Sequence, residues 1–549
     1  MATVTYQKKG KDQQLDVGEQ AVTIGRQLGN ILQIEDSKIS RFHAVIEYRR
    51  GILGVRDLGS RNGTLVNDEP INAKGKRLKT GDVVTVGNTR LTVAKADPPK
   101  TNGKPLEEAE VSRNGASAED TSKKLAKLVS ELPDRKVKPA DLVLLNTRGK
   151  VAFKRQKDDE GDGPPAEALT LLRLTLLVCF RTGASDVHLE PTADGWVLRV
   201  RVDGQMTELA HLAKPTGTKL SALIKVLGDI DISKSKEVQE GSFACRVPDR
   251  RVDYRLSFTP GLYGQKLVIR VLDAANAPQY LWDLGLGDDE FELLDRTTRR
   301  SEGMLLVCGP TGSGKSSTLY SVLRSIDSKE RNVVTIEDPV EIRLDGITQQ
   351  PVNEAQGNTF AALLRSVLRQ DPDVVLVGEI RDNETAVAAS QAAMTGHLVL
   401  STVHSRDSVG AVFRLIDLGC EPFQIASGLS AVVAQRLVRR LCPHCRTARA
   451  MTNGEKAMVE DVGLETNNAK LYDAKGCAKC LGTGFLGRKA VFEVLRVTEK
   501  VRDGILSGAN ASELYATLRG TGYRRLREVA LELALAGETT FDEADKLGT

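Results

Sequence analysis

Aromatic residues are scarce in this chain of 549 residues, at 4% of the total with only 2 tryptophans. Few stacking platforms count against a binder of single-stranded nucleic acid, which layers bases on aromatic rings, and no nucleic-acid partner is expected. Long apolar runs are missing as well. The longest stretches, such as Leu174 to Phe180, fall far short of the roughly 20 apolar residues that a membrane crossing needs. The first ten residues, M-A-T-V-T-Y-Q-K-K-G, hold no apolar core of the kind a secretory signal carries. Charge of one sign is not in excess, since a net charge of +4 on so large a chain argues neither for nor against polyanions. These absences predict a cytoplasmic protein that reaches a membrane only through partners. In that compartment the 8 cysteines are expected to stay reduced or metal-bound.

What is present begins with Gly309-Pro310-Thr311-Gly312-Ser313-Gly314-Lys315-Ser316, a complete G-x-x-x-x-G-K-[ST] loop, with Ser317 following. An apolar run, Met304 to Cys308, precedes it, and a helical pattern through Leu319, Val322 and Leu323 follows. Strand, glycine loop and helix in that order form a phosphate cradle. The glycines let successive N–H groups turn inward, Lys315 reaches the β and γ phosphates, and the Ser316 hydroxyl ligates Mg²⁺. ATP and Mg²⁺ are therefore the expected ligands.

Composition divides the chain. Residues 1–95 read as an all-β module of short alternating runs with Gly, Asn and Asp turns. Residues 96–124 are rich in Pro, Gly, Ser and charge and read as a flexible linker. Residues 125–165 hold Leu125, Leu128, Val129 and Leu132 at helical spacing, predicting one amphipathic helix and a hairpin, then a second charged break. From Leu169 onward strands and helices alternate in an α/β manner, first over 166–280 and then over 281–549.

In the first module Arg26, then Ser40 with Arg41 and His43, then Arg61 and Asn62 fall where loops join strands. Guanidinium forks beside a hydroxyl suit a phosphate monoester, and Asn62 suits a peptide main chain. Read from the residues alone, Asn62-Gly63 could instead form a hairpin turn, and His43 is structural on either reading. The combined G-R, S-x-x-H and S-x-N-G-T pattern resembles the forkhead-associated (FHA) domain, a phosphothreonine-recognition β-sandwich. That resemblance implies that Arg26 and Ser40 hold the phosphate, that Arg41 and Arg61 assist, and that Asn62 holds the peptide.

Beyond the phosphate loop, T-I-E-D-P-V-E runs from Thr335 to Glu341, D-V-V-L-V-G-E-I-R-D from Asp373 to Asp382, and T-G-H-L-V-L-S-T-V-H from Thr395 to His404. Carboxylates at strand ends are placed to hold Mg²⁺ or to orient a water, which is most of what phosphoryl transfer asks of a protein. The third stretch is expected to bring His397 and His404 to one sheet edge. Upstream lie A-S-D-V-H-L-E-P at Ala184 to Pro191 and R-V-R-V-D-G at Arg199 to Gly204. This set resembles the secretion ATPase superfamily of type II secretion and type IV pilus assembly, with its N2 domain followed by a RecA-like motor domain. By that resemblance Glu379 is the Walker B carboxylate, Glu341 the general base, and His397 and His404 couple nucleotide state to movement. Arg201, Arg255 and Arg270 are implied as cations that reach the γ-phosphate. The resemblance also implies a homohexamer working on an inner-membrane platform protein. Where the superfamily often has a basic P-Q-D-G-R-like stretch, this chain has V-Q-E-G-S-F at Val238 to Phe243.

Finally, Cys442 and Cys445 form C-P-H-C, and Cys477 and Cys480 form C-A-K-C. Two such pairs suit a closed tetrahedral zinc site in a lobe spanning 442–480, with four free or redox-active thiols as the alternative. Cys179, Cys245, Cys308 and Cys420 stand singly among apolar residues and read as core. Assembly and secretion members of the superfamily typically carry the four cysteines, whereas retraction motors typically lack them. The function expected is a motor ATPase under the control of a phosphorylated partner. The alternatives are a retraction- or conjugation-type motor and a signalling scaffold that uses nucleotide as a switch.

Overall fold

The computed structural model describes residues 2–8, 11–17, 22–26, 30–34, 36–40, 42–49, 52–58, 60–71, 75–96, 118–133, 137–153, 166–273, 278–467 and 469–548. They fall into two compact units, residues 1–111 and 112–549.

The first unit is a β-sandwich. One sheet runs in the order Lys11–Val17, Ala2–Lys8, Thr89–Ala96, Val83–Val86, Thr64–Val66, Glu69–Pro70. The other runs Leu32–Gln33, Val22–Gly25, Ala44–Arg49, Ile52–Asp57, Lys76–Arg77. Val4, Val17, Ile24, Ile46, Val55, Val66, Val84 and Leu91 come from alternate positions of both sheets and close the core between them.

The second unit holds two seven-stranded sheets. The first is antiparallel, in the order Val143–Leu145, Gln239–Arg246, Arg251–Gly261, Gly264–Leu272, Asp186–Pro191, Trp196–Val202, Gln205–Leu212. Strict alternation in Trp-Val-Leu-Arg-Val-Arg-Val at 196–202 buries Trp196, Leu198, Val200 and Val202 on one face. Arg199 and Arg201 are left on the other. The helices Ala166–Thr182 and Lys214–Leu227 cover the apolar face. The apolar run Leu174 to Phe180 is thus buried in this core. No helix among the described residues is long and apolar enough to cross a membrane.

Two expectations about the preceding segment are corrected. The helix runs Ala118–Glu131, so residues 118–124, assigned by composition to the linker, are helical. Nor is 125–153 a small separate piece. Leu125, Val129 and Leu132 pack with Leu171, Leu172 and Leu176, and Val143–Leu145 pairs with Ala244–Arg246 as the edge strand of the sheet. The stretch is one face of this domain, and its helix alone could not bury its apolar stripe.

The second sheet is the doubly wound one, ordered Thr348–Pro351, Val333–Glu337, Val374–Val377, Leu398–Val403, Gly303–Cys308, Leu429–Leu441, Phe485–Arg496. All neighbours are parallel except the last pair. Gly303–Cys308 is buried at every position. Met304, Leu306 and Cys308 serve the core on one side of the sheet, and Leu305 and Val307 the core on the other. A parallel sheet with both faces covered leaves its strand C-termini as the natural place for a ligand.

Candidate functional site

The phosphate loop leaves the C-terminal end of Gly303–Cys308 and enters the helix Lys315–Arg324. Its three glycines have φ of 152°, 79° and 91° at Gly309, Gly312 and Gly314, values closed to most side chains. Space adds a second reason at two of them. A Cβ on Gly309 would lie 2.6 Å from the Gln435 carbonyl, and one on Gly314 would lie 2.7 Å from Gln435 Nε2. Pro310, Thr311, Gly312 and Ser316 are exposed at the mouth of the loop, Ser317 is half-buried, and Ser313 is buried. Lys315 Nζ donates to the carbonyls of Gly309 (2.8 Å) and Pro310 (3.1 Å). Burial holds its ammonium below the ordinary lysine value, with the nearby Arg436 pushing the same way. A phosphate would replace those carbonyls as acceptor and relieve the desolvated charge.

Glu379 follows Val374–Val377, two strands away. Its Oε1 lies 2.8 Å from His404 Nε2, and its Oε2 accepts from Arg381 Nε at 2.7 Å. The strand Leu398–Val403 delivers His404 to this edge, and Thr402 Oγ1 donates to the Gly378 carbonyl at 2.8 Å, fixing the turn before the carboxylate. Lys315, Glu379 and His404 thus meet at one end of one sheet. His397 does not join them. It precedes Leu398, whose register partner is Gly303 at the opposite end of the neighbouring strand. Seven residues at strand rise put it roughly 20 Å from His404. There its Nδ1 lies 3.2 Å from the Ala392 carbonyl. The expectation that both histidines share an edge is corrected: a strand longer than a few residues separates its two ends.

The stretch Thr335 to Glu341 splits by role. Glu337 is buried, and its carboxylate accepts from Tyr320 Oη, Thr335 Oγ1 and Gln349 Nε2. Glu341 is exposed. Its backbone N–H donates to Tyr320 Oη at 3.4 Å, and Arg255 Nη2 donates to the Val340 carbonyl beside it at 3.4 Å. Arg255, Arg270, Asp186 and Arg201 stand opposite one another across four adjacent strands of the antiparallel sheet. Asp186 accepts from Arg270 at 3.3 Å and lies 3.8 Å from Arg201. Ser242, from V-Q-E-G-S-F, is the register partner of Arg255, so this row has a hydroxyl at that end.

The four cysteines converge. Their sulfurs all lie within 4.8 Å of one another. The pairs Cys442–Cys477, Cys445–Cys480 and Cys477–Cys480 are 3.9, 3.8 and 3.7 Å apart. A tetrahedron with zinc–sulfur bonds near 2.3 Å has edges of about 3.8 Å, so the donor set fits Zn²⁺ with no open position. Cys480 Sγ also accepts from the N–H groups of Cys477 and Gly484, as a thiolate ligand would. The next residue, Leu481, packs on the core of the antiparallel domain.

In the sandwich, backbone bonds tie the loops that carry the phosphate candidates. Arg26 N donates to Ser40 O (3.1 Å), Arg61 N to Ser40 Oγ (3.0 Å), and Asn62 Nδ2 to Lys38 O (2.6 Å). The guanidinium-bearing Arg26 and Arg61 are exposed. Arg41 lies outside the described residues. His43 is fully buried, with Nδ1 accepting from Ser40 N and Nε2 3.0 Å from Gly63 O, which makes it a strut between two of the loops. Asn62-Gly63 is not a hairpin turn, because the flanking strands Ile52–Asp57 and Thr64–Val66 belong to different sheets. Sequence reasoning passed over Lys38, whose carbonyl anchors Asn62. It also passed over Gln435 and Arg436, although two polar residues interrupting V-V-A-Q-R-L-V in a buried strand were a usable signal.

Comparison with known proteins agrees with this geometry. Residues 161–546 match the family described as type II/IV secretion system protein, and residues 22–87 match the FHA domain. The chain is 44% identical over 386 residues to the type II secretion system protein E of Klebsiella pneumoniae, covering 70% of this chain and 76% of that protein. It is 39% identical over 397 residues to the type IV pilus assembly ATPase PilB of Thermus thermophilus, covering 71% of this chain and 44% of that protein. The crystallised ATPase DotB of Legionella pneumophila shares the fold, with a TM-score of 0.51 at 20% identity over 71% of this chain and 97% of its own.

Proposed function

The chain belongs to the type II/IV secretion system protein family, as an ATPase that carries an FHA domain, and from that premise we propose a specific motor. It works as a homohexamer, hydrolyses ATP to drive type IV pilus assembly or type II secretion, and is held at the inner membrane by a platform protein. A phosphothreonine-bearing partner governs it through the first unit. The observation that carries the reading is the meeting of Lys315, Glu379 and His404 at one sheet edge. The four-sulfur cluster favours an assembly or secretion motor over a retraction motor.

In that site the loop N–H groups and Lys315 hold the polyphosphate. Ser316 and Glu379 are the residues that would hold Mg²⁺, which when bound neutralises charge on the transferring phosphoryl group. His404 and Arg381 clamp both oxygens of Glu379 and fix its orientation. Glu341, exposed and set beside Arg255, takes the proton of the attacking water. Arg201, Arg255 and Arg270 supply positive charge to the γ-phosphate. In the first unit Arg26, Ser40, Arg41 and Arg61 hold phosphothreonine, and Asn62 holds the peptide.

The test has two arms. Cells lacking the protein are complemented with wild type, Lys315→Ala or Arg26→Ala and scored for surface pili and secreted protein. The full chain is also titrated with a phosphothreonine peptide and its unphosphorylated twin. Lys315→Ala should abolish the output, and Arg26→Ala should weaken phosphopeptide binding by roughly 10- to 100-fold, the worth of a charge-assisted hydrogen bond. Full output with Lys315→Ala would remove the motor, and peptide binding indifferent to phosphate would remove the kinase link.

A further inference from the structure

The strand Leu429–Leu441 runs beside the phosphate-loop strand with Ala434 opposite Cys308, so Gln435 and Arg436 lie alongside the start of the loop. Gln435 is buried and accepts from Thr318 Oγ1 at 2.7 Å, forming the floor under Gly309 and Gly314. Arg436 Nη1 stands 3.1 Å from where a Gly309 Cβ would be. Its guanidinium is half-buried and donates only to carbonyls, Nη1 to Gln435 O at 2.9 Å and Nη2 to Arg406 O. Among the described residues no carboxylate oxygen lies within ion-pair distance of it. Arg250, Arg439 and Arg449, also sheltered, each pair with a carboxylate instead: Asp273, Glu543 and Glu455.

Carbonyl-only bonding alone would mean little, but Lys315, at the far end of the loop that Arg436 abuts at Gly309, is bonded in the same way. Two desolvated cations flank the start of one loop, each donating to main-chain carbonyls and, among the described residues, neither in contact with a carboxylate, an arrangement that costs free energy until an anion arrives. We propose that Arg436 is a second phosphate-directed cation of the nucleotide site, supplied by the same chain and additional to the arginines of the antiparallel sheet. On taking a phosphate oxygen, Arg436 gives up the Arg406 carbonyl, two residues beyond His404, so phosphate occupancy is reported to the turn that carries the Glu379 partner. The inference rests on Gly309 to Ser316 being the nucleotide site.

The test uses the full chain as wild type, Arg436→Met, Arg436→Lys and Lys315→Ala, with thermal unfolding and titrations of ATP, ADP and AMP in Mg²⁺. For Arg436→Met the expected result is an unfolding midpoint without nucleotide equal to or above wild type, because a half-buried charge with no ion-pair partner among the described residues is gone. Its ATP affinity falls roughly 10- to 100-fold, while AMP binding does not change. Arg436→Lys restores most of the ATP affinity. A lowered midpoint with unchanged ATP affinity, or a lysine variant no better than methionine, would make Arg436 a bracket between backbone segments and overturn the proposal. Unchanged ATP binding in Lys315→Ala would instead remove the site itself, and the proposal with it.

Discussion

Glu337 and Glu341 are four residues apart in one motif, and their surroundings give them different work. All the acceptor capacity that Glu337 shows is spent on Tyr320, Thr335 and Gln349 inside the fold, whereas Glu341 faces solvent beside Arg255. Glu341→Gln should lower kcat by about 10²- to 10⁴-fold, the range for a lost general base, while ATP affinity stays within a few-fold. Glu337→Gln should act on the fold first. An amide must turn an NH₂ toward a group that wants an acceptor, costing about 1–3 kcal/mol in urea unfolding. The opposite pattern, with Glu337→Gln stable but inactive and Glu341→Gln active, would exchange their roles. The difference was not legible in the sequence, because Tyr320 and Gln349 belong to other elements. The placement of Lys315 and Glu379 beyond the ends of parallel strands was legible, because each is set by its immediate strand-and-turn context. His397 misled for the converse reason: two histidines seven positions apart along a strand sit at opposite ends of the sheet's depth.

At the scale of elements, the helix Ala118–Glu131 shows what composition hides. Only one stripe of it is buried, including Thr121, Leu125 and Val129, so its first turns look as polar as the linker before them. Periodicity placed Leu125 to Leu132 correctly, but nothing local could say that Leu481 of the cysteine lobe packs on the same domain core. The strands on either side of the lobe have further ties to that domain. Gly487 N donates to Asp203 Oδ2 at 2.8 Å and Arg439 Nη1 to Gln205 Oε1 at 2.6 Å. Zn²⁺ bound by four thiolates would hold the turn Ala478–Cys480 and therefore Leu481 in place. Stripping the metal with a chelator should raise amide exchange across residues 118–131 and 203–209. Leu481→Asp should do the same while still holding one zinc per chain. Unchanged exchange after complete metal loss would mean that the lobe does not brace the antiparallel domain.

For the whole molecule, the arginine row bears on how chains would cooperate in the proposed homohexamer. Arg255 donates to Val340 of its own chain, next to Glu341, the proposed general base, and is therefore expected to serve the site of its own chain. Arg201 and Arg270 are instead held by Asp186, on the polar face of the antiparallel sheet. Such a face, built from charges that helices leave uncovered, suits a neighbouring copy, and transition-state arginines are often delivered that way. The two arrangements separate in mixed assemblies. Lys315→Ala chains have no working loop but intact arginines, and arginine variants have the reverse. Mixing Lys315→Ala with Arg255→Ala should yield no turnover beyond the sum of the two, because neither chain holds a complete site. Mixing Lys315→Ala with Arg270→Ala should give turnover well above that sum, since an intact Arg270 can then serve the loop of the next chain. Rescue of Arg255→Ala would place its guanidinium at a neighbour's site, and the bond to Val340 would then belong to a resting arrangement of the two domains. Failure of Arg270→Ala to be rescued would confine catalysis to one chain and leave assembly with a mechanical role alone.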